Sequence, residues 1–223
     1  MNRRALGFLA SIALFAAPVM AGPPLLCFPY SIGSAQSLPW GNDAFDQKKG
    51  YDKSKVVEDT LKLLKEEKST LVRMETIRRA AIYIGRDPAI GNDLVAKMTR
   101  IADDDVAAGK PTAQVLFDLG YLVATLKQNG CEISSKIANG DDAYQYIKKG
   151  LAITPEDAAM QFGAALVAFE KDNAAFKEHM KLAIAGAPAG SDLAKSIENN
   201  WACGHKPIGE LCKEYGVKQK APK

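Results

Sequence analysis

Ala143, Ile147, Gly150 and Pro155 are separated by 4, 3 and 5 residues, and Phe176, Met180, Ala183 and Pro188 repeat that spacing 33 residues later. Steps of three and four place side chains on one face of a helix, and a proline just beyond ends it. A single helical unit cannot bury its apolar face alone, so a unit used twice predicts stacked helices sharing one continuous core.

The rest of the chain fits that expectation. From Lys53 onward, apolar residues recur at helical spacing. Val56, Val57, Thr60, Leu61 and Leu64 make one face, and Leu71, Met74, Ile77, Ala81 and Ile84 make the next, opposite Arg73 and Arg79. Asp87-Pro88 reads as a helix start, because Asp accepts from the freed amides and Pro in the first turn sacrifices no bond. Ile90, Leu94, Met98 and Ile101 then point inward. Val115, Leu116, Leu119, Leu122, Val123 and Leu126, with Phe117 and Tyr121, make the following helix apolar round most of its circumference, which assigns it to the middle of the stack. Asp141 is the expected cap of the helix carrying Ala143, Tyr144, Ile147 and Leu151. Thr154-Pro155-Glu156-Asp157 joins a capping hydroxyl, a first-turn proline and a returning carboxylate ahead of Phe162, Leu166 and Phe169. Asn173 starts a helix with Phe176, Met180 and Ile184, Ser191 caps one with Leu193, Ile197 and Trp201, and Ile208, Leu211, Cys212 and Tyr215 close the chain. No stretch alternates with the period of a strand. The expected fold is all-α: about nine helices in antiparallel hairpins, an α-solenoid or something close to it.

Residues 1–21 read as an export leader, with Asn2, Arg3 and Arg4 before the apolar run Ala5–Ala17 and a small-residue exit at Val19-Met20-Ala21. Cleavage near Ala21 implies a periplasmic or secreted protein. No later segment is apolar enough to span a bilayer. Residues 22–50 differ in character, with Pro23, Pro24, Pro29 and Pro39 among Leu25, Leu26, Phe28, Tyr30, Ile32, Leu38 and Trp40. That is too much apolar surface for a free linker, so this stretch is expected to be an extended arm packed along the body, with one short strand near Leu25–Tyr30. Residues 51–216 form the helical domain and 217–223 a basic, disordered tail carrying Lys218, Lys220 and Lys223. The whole chain carries 29 basic and 26 acidic side chains. Its pI of about 8.5 reflects the leader arginines and this tail. Near-neutrality elsewhere excludes the concentrated basic face of a nucleic-acid binder.

The Ala143, Ile147, Gly150, Pro155 spacing resembles the second half of a tetratricopeptide repeat, which there places Ala, an aromatic, Ala and Pro. Phe162-Gly163 and Leu119-Gly120 fall where that family has its Leu-Gly pair. Ile147 replaces the aromatic, Gly150 the second Ala, and residues 130–140 lengthen the hairpin beyond the family's 34-residue unit. The resemblance covers roughly the second half of the chain. It implies protein or peptide binding on a concave surface and supplies no ligand residues.

Four cysteines in an exported chain suggest disulfides, and four allow three pairings. Cys203 with Cys212, stapling the last helix, and Cys27 with Cys131, tying the arm to the body, is the favoured one. Cys203, His205 and Cys212 are the competing zinc candidates, one ligand short of the four a structural site needs. Covalent haem is not indicated without a Cys-x-x-Cys-His run, no phosphate-cradling glycine loop or Gly-x-Ser-x-Gly elbow occurs, and no cofactor is implied. His179, beside Met180 in a helix, reads as a packed or solvated residue. Asp103-Asp104-Asp105 reads as a solvated helix end, and Arg73, Arg78 and Arg79 as solubilising charge or a partner-facing patch. The functional expectation is an exported helical-repeat module that binds a protein or peptide and has no chemistry of its own. The alternatives are an all-α enzyme with a site assembled from scattered residues and a structural envelope component.

Overall fold

The computed structural model describes residues 22–134, 140–218 and 220–221. The leader, the cap expected from Asp141, the inward Trp201 side chain and Lys223 lie outside the described residues. Among the described residues nine α-helices follow one another: α1 (Val56–Glu66), α2 (Thr70–Ile84), α3 (Pro88–Ala107), α4 (Ala113–Gln128), α5 (Gly140–Ile153), α6 (Ala158–Ala168), α7 (Asn173–Gly186), α8 (Asp192–Asn199) and α9 (Ile208–Glu214). Among the described residues there is no strand, only isolated bridges at Trp40–Gln47 and Pro188–Lys220. No helix among them is long and apolar enough to cross a membrane.

Side-chain caps set several starts. Asp87 accepts from the Ala89 and Ile90 amides, Asp172 from Ala174 and Ala175, and Ser191 from Ala194. The start of α6 lies later than the Thr-Pro-Glu-Asp run predicts. Asp157, not Thr154, is its cap, accepting from Ala159 and Met160, while the Thr154 hydroxyl turns to Met160 Sδ. Pro155 therefore belongs to the connection between α5 and α6.

α4 packs against α2, α3, α5 and α6, as its apolar circumference requires, and α6 pairs with α7. The α4–α5 crossing is close enough that two glycines are obligatory. A Cβ on Gly120 would collide with the Ala143 carbonyl, and one on Gly150 would lie 2.7 Å from the Ala113 carbonyl. The repeat spacing thus marks where two helix backbones touch, an arrangement compatible with tandem hairpins. Ile101, expected inward, is 42% exposed; Met98 and Ala102 supply the buried edge of α3 at that level.

The arm departs from its expected form at its start. Instead of a strand, Pro23 begins a turn in which the Leu26 and Cys27 amides both donate to the Pro23 carbonyl, at 3.1 and 3.0 Å. Consecutive prolines fix φ for a turn, and Pro29 has no amide to give a ladder. Leu25, Leu26, Tyr30 and Leu38 all lie in the core with the helices.

Candidate functional site

A dense polar cluster lies where the arm crosses α2. Every residue of α2 except Arg79 is buried, including Arg73, Glu75 and Arg78. An extended, proline-interrupted segment has no ladder to satisfy its main chain, and a buried carbonyl without a donor is costly. The arginines of α2 supply the donors. Arg78 Nη1 donates to the Leu26 carbonyl at 2.9 Å and the Ala44 carbonyl at 2.8 Å, and Arg79 Nη1 to the Leu38 carbonyl at 2.8 Å. The Tyr83 hydroxyl donates to Pro39, and the Gln47 amide runs back to the Ile82 carbonyl at 3.0 Å.

Glu75 holds these guanidiniums in place. Arg78 meets it with both Nε and Nη2, at 2.7 and 2.9 Å, and Arg79 Nε adds a third bond at 2.7 Å. The Tyr30 amide donates to the same carboxylate at 3.0 Å, so arm and helix share one buried anion. Two arginines against one carboxylate leave an excess positive charge, which Trp40 faces with its ring 5.4 Å from Arg78 and 5.6 Å from Arg79. Arg73, Arg78 and Arg79 read in the sequence as solubilising charge or a partner-facing patch, whereas the structure buries Arg73 and Arg78 and half-buries Arg79. The correction has a simple cause: helical periodicity sorts faces by polarity, whereas here the arm covers the polar face.

Other contacts fasten the arm along its length. The Leu25 amide donates to Gln128 Oε1 at 3.0 Å, Asn200 Nδ2 reaches the Pro24 carbonyl at 3.2 Å, and the Ser31 amide donates to Ser196 Oγ at 2.9 Å. The Tyr30 ring meets Phe162 edge-on at 6.0 Å and its hydroxyl bonds that of Tyr121; burial pushes both phenols above the usual tyrosine range. Beneath this layer Arg73 ties three elements together, with Nε donating to Asp118 Oδ2 of α4 at 2.8 Å and Nη1 donating to the Leu64 and Glu67 carbonyls at the end of α1. Asp118 Oδ1 is buried without a hydrogen-bond partner among the described residues. Burial therefore outweighs Arg73 and pushes this carboxyl up to about 6.

All four cysteines are free thiols, so neither expected disulfide is present. Each sulfur has its own setting. Cys203 Sγ lies 3.8 Å from Met180 Sδ and burial pushes its thiol up to about 12. Cys131 donates to the Asp87 carbonyl at 3.4 Å, and burial also raises Cys27, against Arg78, and Cys212. His205 is exposed, its ring centroid 5.8 Å from that of Phe28 in an edge-on arrangement. Among the described residues no three His, Cys, Asp or Glu side chains are grouped to hold a metal. Asp103 and Asp104 are exposed, and Asp104 pairs with Arg100 at 3.8 Å, as a solvated helix end does.

His179 is neither simply packed nor free. Its two ring nitrogens lie 2.6 Å from Gln161 Oε1 and 2.7 Å from the Tyr144 hydroxyl. A cavity of about 310 Å³ is lined by Cys203, Phe176, Leu211 and Tyr215, and one of about 360 Å³ by Pro23, Leu25, Gln128 and Leu166. Sequence reasoning missed Glu75, Asp118, Gln128 and Asn200, each of which acts through the arm or across helices far apart in sequence. The available signal was the density of charge in α2 beside an arm that needed a surface. The chain matches no protein-family model, no curated protein and no solved structure.

Proposed function

We propose that the protein is an exported module that binds a protein or peptide partner and performs no chemistry of its own. The observation that supports this is the α2 cleft: a helical body that holds an extended, proline-rich segment through donors aimed at main-chain carbonyls and through pockets for Leu25, Leu26, Tyr30 and Leu38. The charged groups of the cleft are engaged in that task, since Glu75 takes four hydrogen bonds. The occupant is the chain's own arm, so the surface offered to a partner is the outer side of the docked arm. There Phe45 is 53% exposed, on a loop closed by the Gly41–Asp46 bond at 2.7 Å and the Trp40–Gln47 bridge. An exposed aromatic on a rigid, hydrogen-bonded loop is the kind of anchor binding surfaces use.

A photo-crosslinking amino acid at position 45, compared with one at Arg100 on α3, tests the reading in envelope extract. A discrete partner-sized adduct from position 45 alone, lost on competition with unlabelled protein, supports it. No adduct, or equal adducts from both positions, refutes it.

A further inference from the structure

The C-terminal unit, α8 and α9 with their flanking turns, is closed on itself. The Ile208 amide at the start of α9 donates to Glu198 Oε1 of α8 at 2.8 Å. Beyond α9 the chain returns to the start of the unit, where the Ala189 amide donates to the Lys220 carbonyl at 3.4 Å. The unit leaves α7 through an extended Ala187 and through Gly190, which has a φ of 72° and open space around it. Its two outer seams differ. Toward the arm it is hydrogen-bonded: the Ser31 amide donates to Ser196 Oγ at 2.9 Å, the Ser31 hydroxyl to Asp192 Oδ1 at 2.8 Å, and Asn200 Nδ2 to the Pro24 carbonyl at 3.2 Å. Toward α7 the contact is soft. Cys203 meets Met180 sulfur to sulfur, and a cavity of about 310 Å³ is walled by Phe176 of α7 and by Cys203, Leu211 and Tyr215. Side chains that line a void forfeit part of their dispersion contact. The arm side thus supplies directional bonds, and the α7 side an apolar, partly hollow seam.

We propose that the C-terminal unit is a flap that the arm straps shut, and that loosening residues 24–31 opens it along the α7–α9 seam while α1 to α7 stay folded. With the strap in place the flap opens together with the arm, so α8 and α9 share the protection of α2. With the strap cut, they become a separate and weaker unit. Opening brings Ile197, Ile208 and Leu211, all buried in the closed form, to the surface together with Cys203. The device therefore has a closed state that hides an apolar, thiol-bearing face and an open state that presents it, and the start of the arm sets the balance between them.

The double variant Ser31→Ala/Ser196→Ala cuts both bonds between Ser31 and α8. Alanine is a better helix former than serine, so α8 taken alone gains helicity, and any loosening comes from the lost strap. Two hydrogen bonds of ordinary strength, each a factor of about 2 to 10, predict that amide exchange in α8 and α9 speeds up about 5- to 100-fold under native conditions. Alkylation of Cys203, located by peptide mass mapping, should speed up by the same factor. Exchange in α2 and alkylation of Cys131, buried beside the Asp87 carbonyl, should stay within about twofold of wild type. Gln47→Ala, which cuts the bond to the Ile82 carbonyl near the far end of the arm, should leave α8, α9 and Cys203 at wild-type rates. Unchanged rates in the double variant, or α2 and Cys131 accelerating in step with Cys203, would overturn the flap. A wild type in which α8 exchanges far faster than the Ser31 amide would overturn it too, because the arm would then hold nothing shut. Circular dichroism checks that the double variant keeps its helices. If it does not, Ser31→Ala alone, which cuts the Asp192 bond, carries the same test with an expected change of about 2- to 10-fold.

Discussion

Arg78→Met keeps most of the buried stem volume while removing the guanidinium, and its cost can be worked from the structure. Arg78 is fully buried and paired with an equally buried Glu75. Removing one partner of such a pair costs about 3–5 kcal/mol, because the other charge stays behind. The Leu26 and Ala44 carbonyls also lose their donor, at about 1–3 kcal/mol each where water cannot replace it. Arg79 and the Tyr30 amide still solvate Glu75, which offsets part of the loss. The expected net effect is about 4–6 kcal/mol, a large share of the roughly 5–15 kcal/mol a folded domain has in total. Urea unfolding followed by circular dichroism should show the midpoint falling by about 2 M, for a slope of roughly 2–3 kcal/mol/M. Arg100→Met, whose side chain is 85% exposed, is the control and should move stability by no more than about 0.5 kcal/mol. The double variant Glu75→Gln/Arg78→Met should be more stable than Arg78→Met alone, since the orphaned carboxylate is gone. A loss under about 1 kcal/mol for Arg78→Met, or strict additivity in the cycle, would refute the buried-network reasoning.

Gly120→Ala should destabilise the fold by about 1–3 kcal/mol in the same assay, because the new Cβ meets the Ala143 main chain rather than a side chain that can move aside. Leu38→Ala, at a fully buried arm position, should cost about 2–5 kcal/mol, as a core leucine does; a negligible effect would mean the arm is not part of the core. Asp118 should give a pH signature. Its folded value of about 6 exceeds its reference value of 3.8, so its contribution is complete below pH 3.8 and is lost as pH rises through 6. Between pH 4 and 7 the stability difference between wild type and Asp118→Asn should shift toward the variant by about 2–3 kcal/mol, and parallel pH curves would contradict this. Thiol titration in denaturant without reductant should count four groups per chain; two or none would restore the disulfide expectation.

The helical body was legible because its signals are local. The cap at Asp87, the apolar circumference of α4 and the Ile208–Tyr215 spacing each depend on neighbours within one or two turns. The α2–arm interface was not, because polarity patterns assume that a charged face meets water. Arg73, Arg78 and Arg79 meet carboxylates and main-chain carbonyls instead, one of those carboxylates 45 positions away in α4. The same limit hid the hydrogen bonds of His179, since Tyr144 lies 35 positions from His179 and Gln161 18. Ile101 was misplaced for a smaller reason: α3 packs along a narrow edge, and one step round the helix exposes a residue that periodicity alone would bury. Gly150, from the first copy of the spacing, stands where the α4 and α5 backbones meet, opposite Gly120 of the Leu119-Gly120 pair, a close approach that small-residue spacing signals locally.

The arm is a constitutive part of the fold, locked over α2 by the Glu75–Arg78–Arg79 network. Native amide hydrogen exchange on the protein from Gly22 onward tests it most directly, because the Leu25, Tyr30 and Ser31 amides donate to side chains of the body. These three amides should be protected to within about tenfold of the central amides of α2 and should lose protection together with them as denaturant is added. Exchange at free-peptide rates while α2 stays protected would contradict it.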